Sequence, residues 1–194
     1  MAGVLVGLRD LYFAPIKADG FENPYNIAKA MEAKVSPKVS NTVLYADDSA
    51  AESTASEGET EIELGIDALA NSVYAKLLGK TVNPQGVVED AAGDIAPNGA
   101  LGFRSLKSNG KYRYVWYYKG NFQLPEEEYK TKGESIEYNT PKIKGVFVHS
   151  DTILNEKGEG IKRVIVDEDD EGVDPAIFKT WFTKVYVPTK TPTP

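Results

Sequence analysis

The stretch "KYRYVWYYKG", residues 111–120, decides the fold class that this sequence predicts. Aromatic residues are enriched in strands, and successive side chains of a strand point to opposite faces of a sheet. One face of this strand would carry the side chains of Tyr112, Tyr114, Trp116 and Tyr118. A row of this kind usually lies on the inner face of a sheet that packs on a helix or a second sheet. We therefore predict a buried aromatic strand, with Lys111, Arg113 and Lys119 on its other face.

Strand and turn patterns surround this stretch. Asn109 and Gly110 form a two-residue hairpin signal, which joins the aromatic strand to "LGFRSLK" before it. A short helix is expected near Asp174, with Pro175 in its first turn. Alternating or β-branched patterns predict further strands at "LYFAPIKAD", "KVSPKVSNTVLY", "TEIEL", "ESIEYN", "IKGVFVHS", "KRVIVD" and "TKVYVP". The chain is therefore predicted to be mainly β (α+β), with one amphipathic helix.

The clearest helix covers residues 66–79, "IDALANSVYAKLLG". Its apolar residues recur at spacings of three and four, which places them in one stripe along a helix, and Gly79 supplies a C-terminal stop. The stripe consists of Ile66, Leu69, Ala70, Val73, Tyr74, Leu77 and Leu78. We expect this stripe to pack against another apolar surface of the domain.

Residues 46–59, "ADDSAAESTASEGE", differ in composition from the rest of the chain. The segment has no basic residue and no large apolar side chain, and its acids are Asp47, Asp48, Glu52, Glu57 and Glu59. Because strands are predicted on both sides, we predict a long acidic loop between two strands, of a kind that is usually functional or disordered. Residues 81–100 are predicted to be a second, variable excursion and residues 189–194 a loose tail, so that residues 1–188 form a single domain.

Composition and charge limit the classes of function. The 194-residue chain has 22 basic and 29 acidic residues and a formal net charge of -7. Its field therefore repels phosphate, which disfavours a single-stranded nucleic-acid binder whose aromatic row would stack on bases. The chain has no cysteine, which excludes disulfides and thiolate metal sites. The apolar run at the N-terminus ends at Arg9 and Asp10, so we expect neither a signal peptide nor a membrane span there.

Few residues suggest catalysis or metal binding. His149 is the only histidine, and Ser150 and Asp151 follow it, but neighbours on an extended chain point to opposite faces and cannot form a hydrolytic triad. "DEDDEG", residues 167–172, resembles the start of a calcium loop, yet its twelfth position would be Phe178 in place of an acid. We therefore predict a strand end at the first site, a solvated acidic turn at the second, no cofactor or metal, and no enzymatic activity.

Five segments, taken in order, resemble the major tail tube proteins of siphophages, which are phages with long non-contractile tails, chiefly of Gram-positive hosts. The segments are "GLRDLYFAPI", "LYADDS", "GETEIELGIDALANSVYAKLLGK", "YRYVWYYKGNFQLPEEEYKTKGESIEYNTPKIKG" and "FKTWFTKVYVP". Members of the family have similar residues at five positions of the last segment, which are Phe178, Trp181, Phe182, Tyr186 and Pro188. Together the segments span nearly the whole chain, and residues 81–102 are its least family-like part.

The resemblance implies a tail tube fold, in which a β-sandwich or barrel-like pair of sheets is flanked by one helix. It implies a structural virion protein, made in the host cytoplasm, whose hexameric rings stack into a hollow tail tube. Double-stranded DNA would pass through the lumen from capsid to host without specific binding, and the other expected partners are the tape measure, tail tip and tail terminator proteins. The acidic loop at residues 46–59 would then reach a neighbouring subunit or ring and become ordered on assembly.

A second class of function is left open by the aromatic row at residues 112–118. A non-catalytic carbohydrate-binding or adhesive β-sandwich module is also rich in aromatic residues. Such a module would expose the row, would normally work outside the cell and would need no ring assembly. Burial of these rings would therefore count against it.

Overall fold

The computed structural model describes residues 3–46, 49–129, 131 and 140–188, and within them the chain is mainly β. One antiparallel sheet contains nine strands, and a separate hairpin contains two. The strands are β1 Leu5–Lys17, β2 Gly20–Phe21, β3 Tyr25–Asn26, β4 Ala30–Ala46, β5 Ser49–Ile66, β6 Thr81–Val82, β7 Val88–Glu89, β8 Gly99–Lys107, β9 Tyr112–Phe122, β10 Lys142–Val148 and β11 Arg163–Asp167. The helices are α1 Asn71–Leu78 and α2 Ala176–Thr180.

The aromatic strand, β9, is the centre of the large sheet. The order along the sheet is β2-β1-β8-β9-β10-β5-β4, with β3 paired to β1 and β11 paired to β9. β8 lies along one edge of β9, while β10 and β11 share the other edge, at residues 119–122 and 113–117 of β9 respectively. Asn109 and Gly110 lie in the turn between β8 and β9, and the φ of 80° at Gly110 is one that glycine adopts readily. β9 therefore has three pairing partners.

One buried cluster fills the inside of the sheet. It brings together Leu11 and Phe13 of β1 with Ile62 and Leu64 of β5, although these strands lie far apart in the sheet order. The sheet therefore curves until its two ends approach each other, and Leu77 of α1 joins the same cluster. This is one curved sheet in place of the predicted pair, because the second sheet within the described residues is only the short β6–β7 hairpin.

α1 begins later than predicted. Ile66 is the last residue of β5, and Ala70, with a ψ of 140°, is still extended. Asp67 ties the intervening turn to the start of β4, because its carboxylate accepts a 3.0 Å hydrogen bond from the backbone N–H of Lys29. The first turn of the predicted helix is therefore used to connect the helix to the sheet.

The end of α1 agrees with the sequence pattern. Gly79 has a φ of 69°, and a Cβ at this position would lie 2.1 Å from the carbonyl oxygen of Ile95, so only glycine fits. Ala70 is exposed. The rest of the predicted stripe faces the core through the buried Leu77 and Leu78 and the partly buried Leu69, Val73 and Tyr74.

The predicted acidic loop at residues 46–59 is wrong for residues 49–59, which belong to β5. β5 pairs with β4 along the length of both strands, with register shifts at three points. The segment lacks large apolar side chains to bury, but a strand is held by backbone hydrogen bonds to its neighbour. Asp47 and Asp48 lie outside the described residues, as does the side chain of Glu52.

The predicted strand "TKVYVP", residues 183–188, is also wrong. This segment follows α2 as turns and irregular chain, and the backbone N–H of Thr183 donates to the carbonyl oxygen of Thr180 at 3.1 Å. None of the strands in the described sheet includes this segment. The predicted strand at residues 134–139 and the tail at residues 189–194 lie outside the described residues.

The predicted excursion at residues 81–100 contains the β6–β7 hairpin followed by irregular chain. Gly99 and Ala100 already belong to β8, where Ala100 is fully buried. Lys80, directly after α1, is ion-paired with Asp90 at the end of β7. This ion pair anchors the hairpin to the end of the helix.

Candidate functional site

The β4–β5 hairpin extends past the part of the sheet that supports it. β10 pairs with β5 from Gly65 to Thr60, and beyond Thr60 the pairing partner of β5 is β4. We call the outer part of the hairpin, residues 37–46 and 49–59, the ribbon. Glu59 is half-buried. The other described side chains of the ribbon are exposed, namely those of Pro37, Lys38, Val39, Ser40, Asn41, Ser56 and Glu57.

The ribbon has an open edge. β4 is the last strand in the sheet order, so along the ribbon its outer edge pairs with no other strand in the described part of the chain. Such an edge presents backbone N–H and C=O groups that can bind a further strand. A two-stranded hairpin without further packing is marginally stable in water. The ribbon would therefore gain stability from a further partner at this edge.

Two acids that the resemblance assigns to contacts between subunits have partners within the chain. Glu59 is ion-paired with Lys38 across the ribbon. Glu57 is ion-paired with Lys162 of the body, by which we mean the folded part of the chain outside the ribbon. The hydrogen bond from this ammonium group holds the pKa of Glu57 below its ordinary value. Contacts of Glu57 and Glu59 with a neighbouring subunit stay predictions, and a neighbour would have to compete with these pairs.

β9 is buried on both faces because a packed cluster of side chains lies on each side of it. Tyr114, Trp116 and Tyr118 lie in a buried cluster beneath the C-terminal segment, and Tyr112 is half-buried beside them. Tyr117, on the opposite face, belongs to the cluster that α1 covers. The aromatic row therefore faces α2 and the chain after it, while the stripe of α1 lies on the other side of β9.

The C-terminal segment covers the row with aromatic side chains of its own. They belong to Phe178, Trp181, Phe182 and Tyr186. The Trp116 indole N–H donates to the carbonyl oxygen of Trp181 at 3.2 Å, and the Tyr118 hydroxyl donates to that of Tyr186 at 2.7 Å. Burial raises the pKa of Tyr118. The row is thus not an open surface for stacking on bases or sugars, which the nucleic-acid and carbohydrate-binding alternatives both require.

The basic residues beside the row differ in their contacts. Lys111 is exposed. Lys119 is ion-paired with Asp151, and Arg113 donates two hydrogen bonds to Asp167, of 2.6 and 2.8 Å. Of the three residues predicted to be available on this strand, Lys111 alone has an exposed side chain.

The acidic turn after β11 is solvated as predicted at Asp170 and Glu171, which are exposed, whereas Asp167, the last residue of β11, is buried. Asp167 is 6% exposed and also accepts a 2.8 Å hydrogen bond from Lys107, which is itself 2% exposed and pairs with Asp169 as well. The hydrogen bonds from Arg113 and Lys107 lower the pKa of Asp167 to about 2. Because a buried ammonium group requires paired carboxylates, these acids neutralise Lys107. The described residues contain no group of three side chains suited to a metal ion.

Ser150 and Asp151 serve separate structural roles. The Ser150 hydroxyl oxygen accepts hydrogen bonds from the backbone N–H groups of Thr152, at 3.2 Å, and Ile153, at 3.0 Å. Asp151 instead pairs with Lys119. The hydroxyl and the carboxylate are therefore used to close a turn after β10 and to bind a neighbouring strand.

The surface of the described residues includes an open cleft beside α1 and another at the base of the ribbon. The larger, of about 1050 Å³, lies between α1 and residues 123–129 and is lined by Tyr74, Leu124 and acidic side chains, among others. The smaller, of about 590 Å³, lies at the base of the ribbon, and its lining includes Glu57, His149 and Lys162. The base of the ribbon is therefore separated from part of the body by solvent.

Comparisons with known proteins give no identification. The sequence matches no protein-family model, and no curated protein is significantly similar to it. In the part of the chain that the structure describes, neither helix has the length and apolar sequence that crossing a bilayer requires. The ribbon, the covered aromatic row and the net charge are the features that bear on function.

Proposed function

We propose that this chain is the major tail tube protein of a siphophage, a structural virion protein whose copies form hexameric rings that stack into a hollow tail tube. The observation that carries the proposal is the ribbon, because a folded body extends there into a paired hairpin whose described side chains, apart from that of Glu59, are exposed. An element of this kind is suited to packing on a neighbouring copy.

The two ends of the sheet differ, which favours a head-to-tail contact between copies. One end is the open edge of β4, and the other is β1 with the short strands β2 and β3. An interface between two different surfaces leaves each copy with one free surface of each kind, so it generates a closed ring or an open filament. The resemblance to tail tube proteins supports six copies in each ring.

The charge of the chain suits a conduit for double-stranded DNA. Lys and Arg contacts to phosphate are what hold DNA to proteins, so a conduit should offer few free basic groups. The formal net charge is -7. Basic residues already paired with acids of the same chain include Lys38, Lys80, Arg104, Lys107, Arg113, Lys119, Lys142, Lys144 and Lys162.

The proposal requires protein partners and no cofactor. Copies of the chain itself form the tube, and the tape measure, tail tip and tail terminator proteins would limit its length and its ends. The place of action is the tail of the virion, after assembly in the host cytoplasm. None of these roles requires a catalytic group.

A shortened ribbon tests the proposal. Ser40 of β4 and Ser56 of β5 are register partners, so an Asn-Gly turn can replace residues 41–55 and leave the rest of the hairpin paired. Negative-stain electron microscopy across a concentration series should show hollow tubes or six-fold rings for the wild type. The shortened-ribbon variant should stay monomeric and melt at a similar temperature.

Two results would contradict parts of this proposal. Tubes from the shortened-ribbon variant would show that the ribbon is not the contact. A wild-type protein that stays monomeric across the series would contradict unaided assembly, and a glycan array would then test the carbohydrate-binding alternative.

A further inference from the structure

Lys162 contacts the base of the ribbon from the body of the protein. It directly precedes β11, and its carbonyl oxygen accepts a 3.0 Å hydrogen bond from the backbone N–H of Tyr118 in β9. Its side chain is 5% exposed and is ion-paired with Glu57 of the ribbon. The same ammonium group donates a 3.1 Å hydrogen bond to the carbonyl oxygen of Gly58. One buried cation thus binds both a side chain and the backbone of β5.

The loop that carries Lys162 is closely packed. The backbone N–H of Ser150 donates to the carbonyl oxygen of Ile161 at 3.2 Å, and that of Ile161 donates to Ile153 at 2.8 Å. A Cβ at Gly160 would lie 2.2 Å from the carbonyl oxygen of Ser150, so the two ends of the loop are in direct backbone contact. Lys162 is therefore held in a fixed place relative to β9.

The contact falls on an irregularity in the β4–β5 ladder. Pro37 pairs with Thr60 and Val39 pairs with Glu57, so that one residue of β4 faces two residues of β5 at this point. A bulge of this kind bends a strand and increases its twist. The direction of the ribbon is consequently set where Lys162 binds.

The last pair between β10 and β5 joins Phe147 to Thr60. Glu57 and Gly58, the groups that Lys162 binds, lie beyond this point in the ribbon. On this side the ribbon base borders the cleft of about 590 Å³ that Glu57, His149 and Lys162 help to line. On this side the ribbon is therefore held to the body by the polar contacts of Lys162 with Glu57 and Gly58.

We infer that Lys162 is a positioning residue that fixes the angle at which the ribbon leaves the body, by binding Glu57 and Gly58 at the bulge. Any effect of Lys162 on tube growth rests on the proposed function, whereas its effect on the orientation of the ribbon is independent of that function. With the contact in place, the ribbon of each copy points in one direction before it meets a neighbour. Preorganisation of this kind lowers the entropic cost of ordering an interface element on binding.

Lys162→Met should remove the contact and keep the fold. Methionine has a similar length and is apolar, so it suits a buried position, and replacing a buried charge by an apolar group is often tolerated. Glu57, whose side chain is 51% exposed, would be solvated when its partner is lost. Lys38→Met is the matched control, because Lys38 lies at the same bulge but its ion pair with Glu59 stays within the ribbon.

The experiment measures the angle of the ribbon directly. The chain has no cysteine, so Ser40→Cys in the ribbon and Lys111→Cys in the body provide a unique pair of spin-label sites, both exposed. Double electron–electron resonance is recorded on labelled protein diluted with unlabelled protein, so that distances between copies do not contribute. We expect a narrow distance distribution for the wild type and Lys38→Met, and a broadened or shifted distribution for Lys162→Met at an unchanged melting temperature.

The outcomes separate this inference from the proposed function. The same distribution in the wild type and Lys162→Met would overturn the positioning role, as would broadening of equal size in Lys38→Met. If Lys162→Met unfolds, Glu57→Gln weakens the same contact, because it removes the carboxylate charge and leaves Lys162 its hydrogen bond to Gly58; a smaller broadening is then expected. Tube formation is measured separately by electron microscopy. A wild type without tubes but with a distribution that depends on Lys162 would contradict unaided assembly and retain the positioning role.

Discussion

At the scale of single residues, two buried lysines are each paired with carboxylates, but the carboxylates lie in different parts of the molecule. Lys107, 2% exposed, is neutralised by Asp167 and Asp169 within the body. Lys162, 5% exposed, is neutralised by Glu57, which is half-exposed on the ribbon. Removal of one partner of a buried pair leaves an uncompensated charge, so the partner of such a lysine is specified strongly. The first pair joins elements within the core, and the second connects the core to an exposed element.

Trp116→Ala should strongly destabilise the fold. Trp116 is fully buried beneath Trp181, and a Cβ at Gly102 would lie 2.6 Å from its ring, so the site is tightly filled. Truncation of a buried aromatic side chain costs about 3 to 5 kcal/mol because it removes apolar contacts and leaves a cavity. Urea unfolding measures the loss. Tyr112→Ala, at a half-buried position of the same row, is the control and should cost less; a near-neutral Trp116→Ala would contradict the placement of the row.

Stability should fall in acid through Asp167. Its pKa in the folded state is about 2, below the ordinary 3.8, because Arg113 and Lys107 favour the carboxylate. A carboxylate with a lowered folded-state pKa stabilises the fold above the ordinary pKa, and this stabilisation is lost as the pH falls from about 4 to about 2. The urea midpoint measured against pH should therefore drop in this window. Asp167→Asn should flatten that part of the profile, while Asp151→Asn, at an exposed carboxylate, should leave it in place; an unchanged slope in Asp167→Asn would contradict the assignment.

At the scale of elements, the sequence predicted those strands and turns that are determined by the pattern of neighbouring residues, and it missed those that depend on contacts with distant residues. Alternation in residues 112–118 and the turn at Gly110 are local signals, and the structure has a strand and a turn at these places. Residues 49–59 have little apolar content, and pairing with a distant strand decides their conformation. The contact of Lys162 with Glu57 joins residues 105 apart, so no pattern within either segment could reveal it. The covering of the aromatic row by the C-terminal segment is likewise a long-range packing result.

The two halves of β5 should differ in hydrogen exchange. Residues 60–65 pair with both β4 and β10, whereas residues 49–57 pair with β4 alone. Opening of the outer half breaks fewer contacts, so its amides should exchange faster in the monomer. In tubes these amides should become protected if the ribbon packs on a neighbour. The amides of β9, which is central in either state, are the control, and equal exchange of the outer half in monomer and tube would contradict a role in assembly.

At the scale of the whole molecule, the structure combines a packed body with the exposed ribbon. The core under α1 and the covered aromatic row fill both faces of β9, so the body has a core of its own. The ribbon, by contrast, has an open edge and exposed side chains. We therefore expect a monomer that folds alone and an assembly that is controlled mainly through one element.

The shortened-ribbon variant should inhibit assembly of the wild type when the two are mixed. In a head-to-tail contact the ribbon of one copy binds a different surface of the next, so a copy without residues 41–55 can still be bound but cannot bind onward. Small fractions of the variant should shorten the tubes or lower their yield in electron micrographs. A contact between two ribbons would instead leave the variant outside the assembly, and the wild type would form tubes as before. Lys38→Met, which keeps the full ribbon, is the control and should join the tubes without shortening them, so inhibition by the shortened-ribbon variant alone would establish the polarity of the contact.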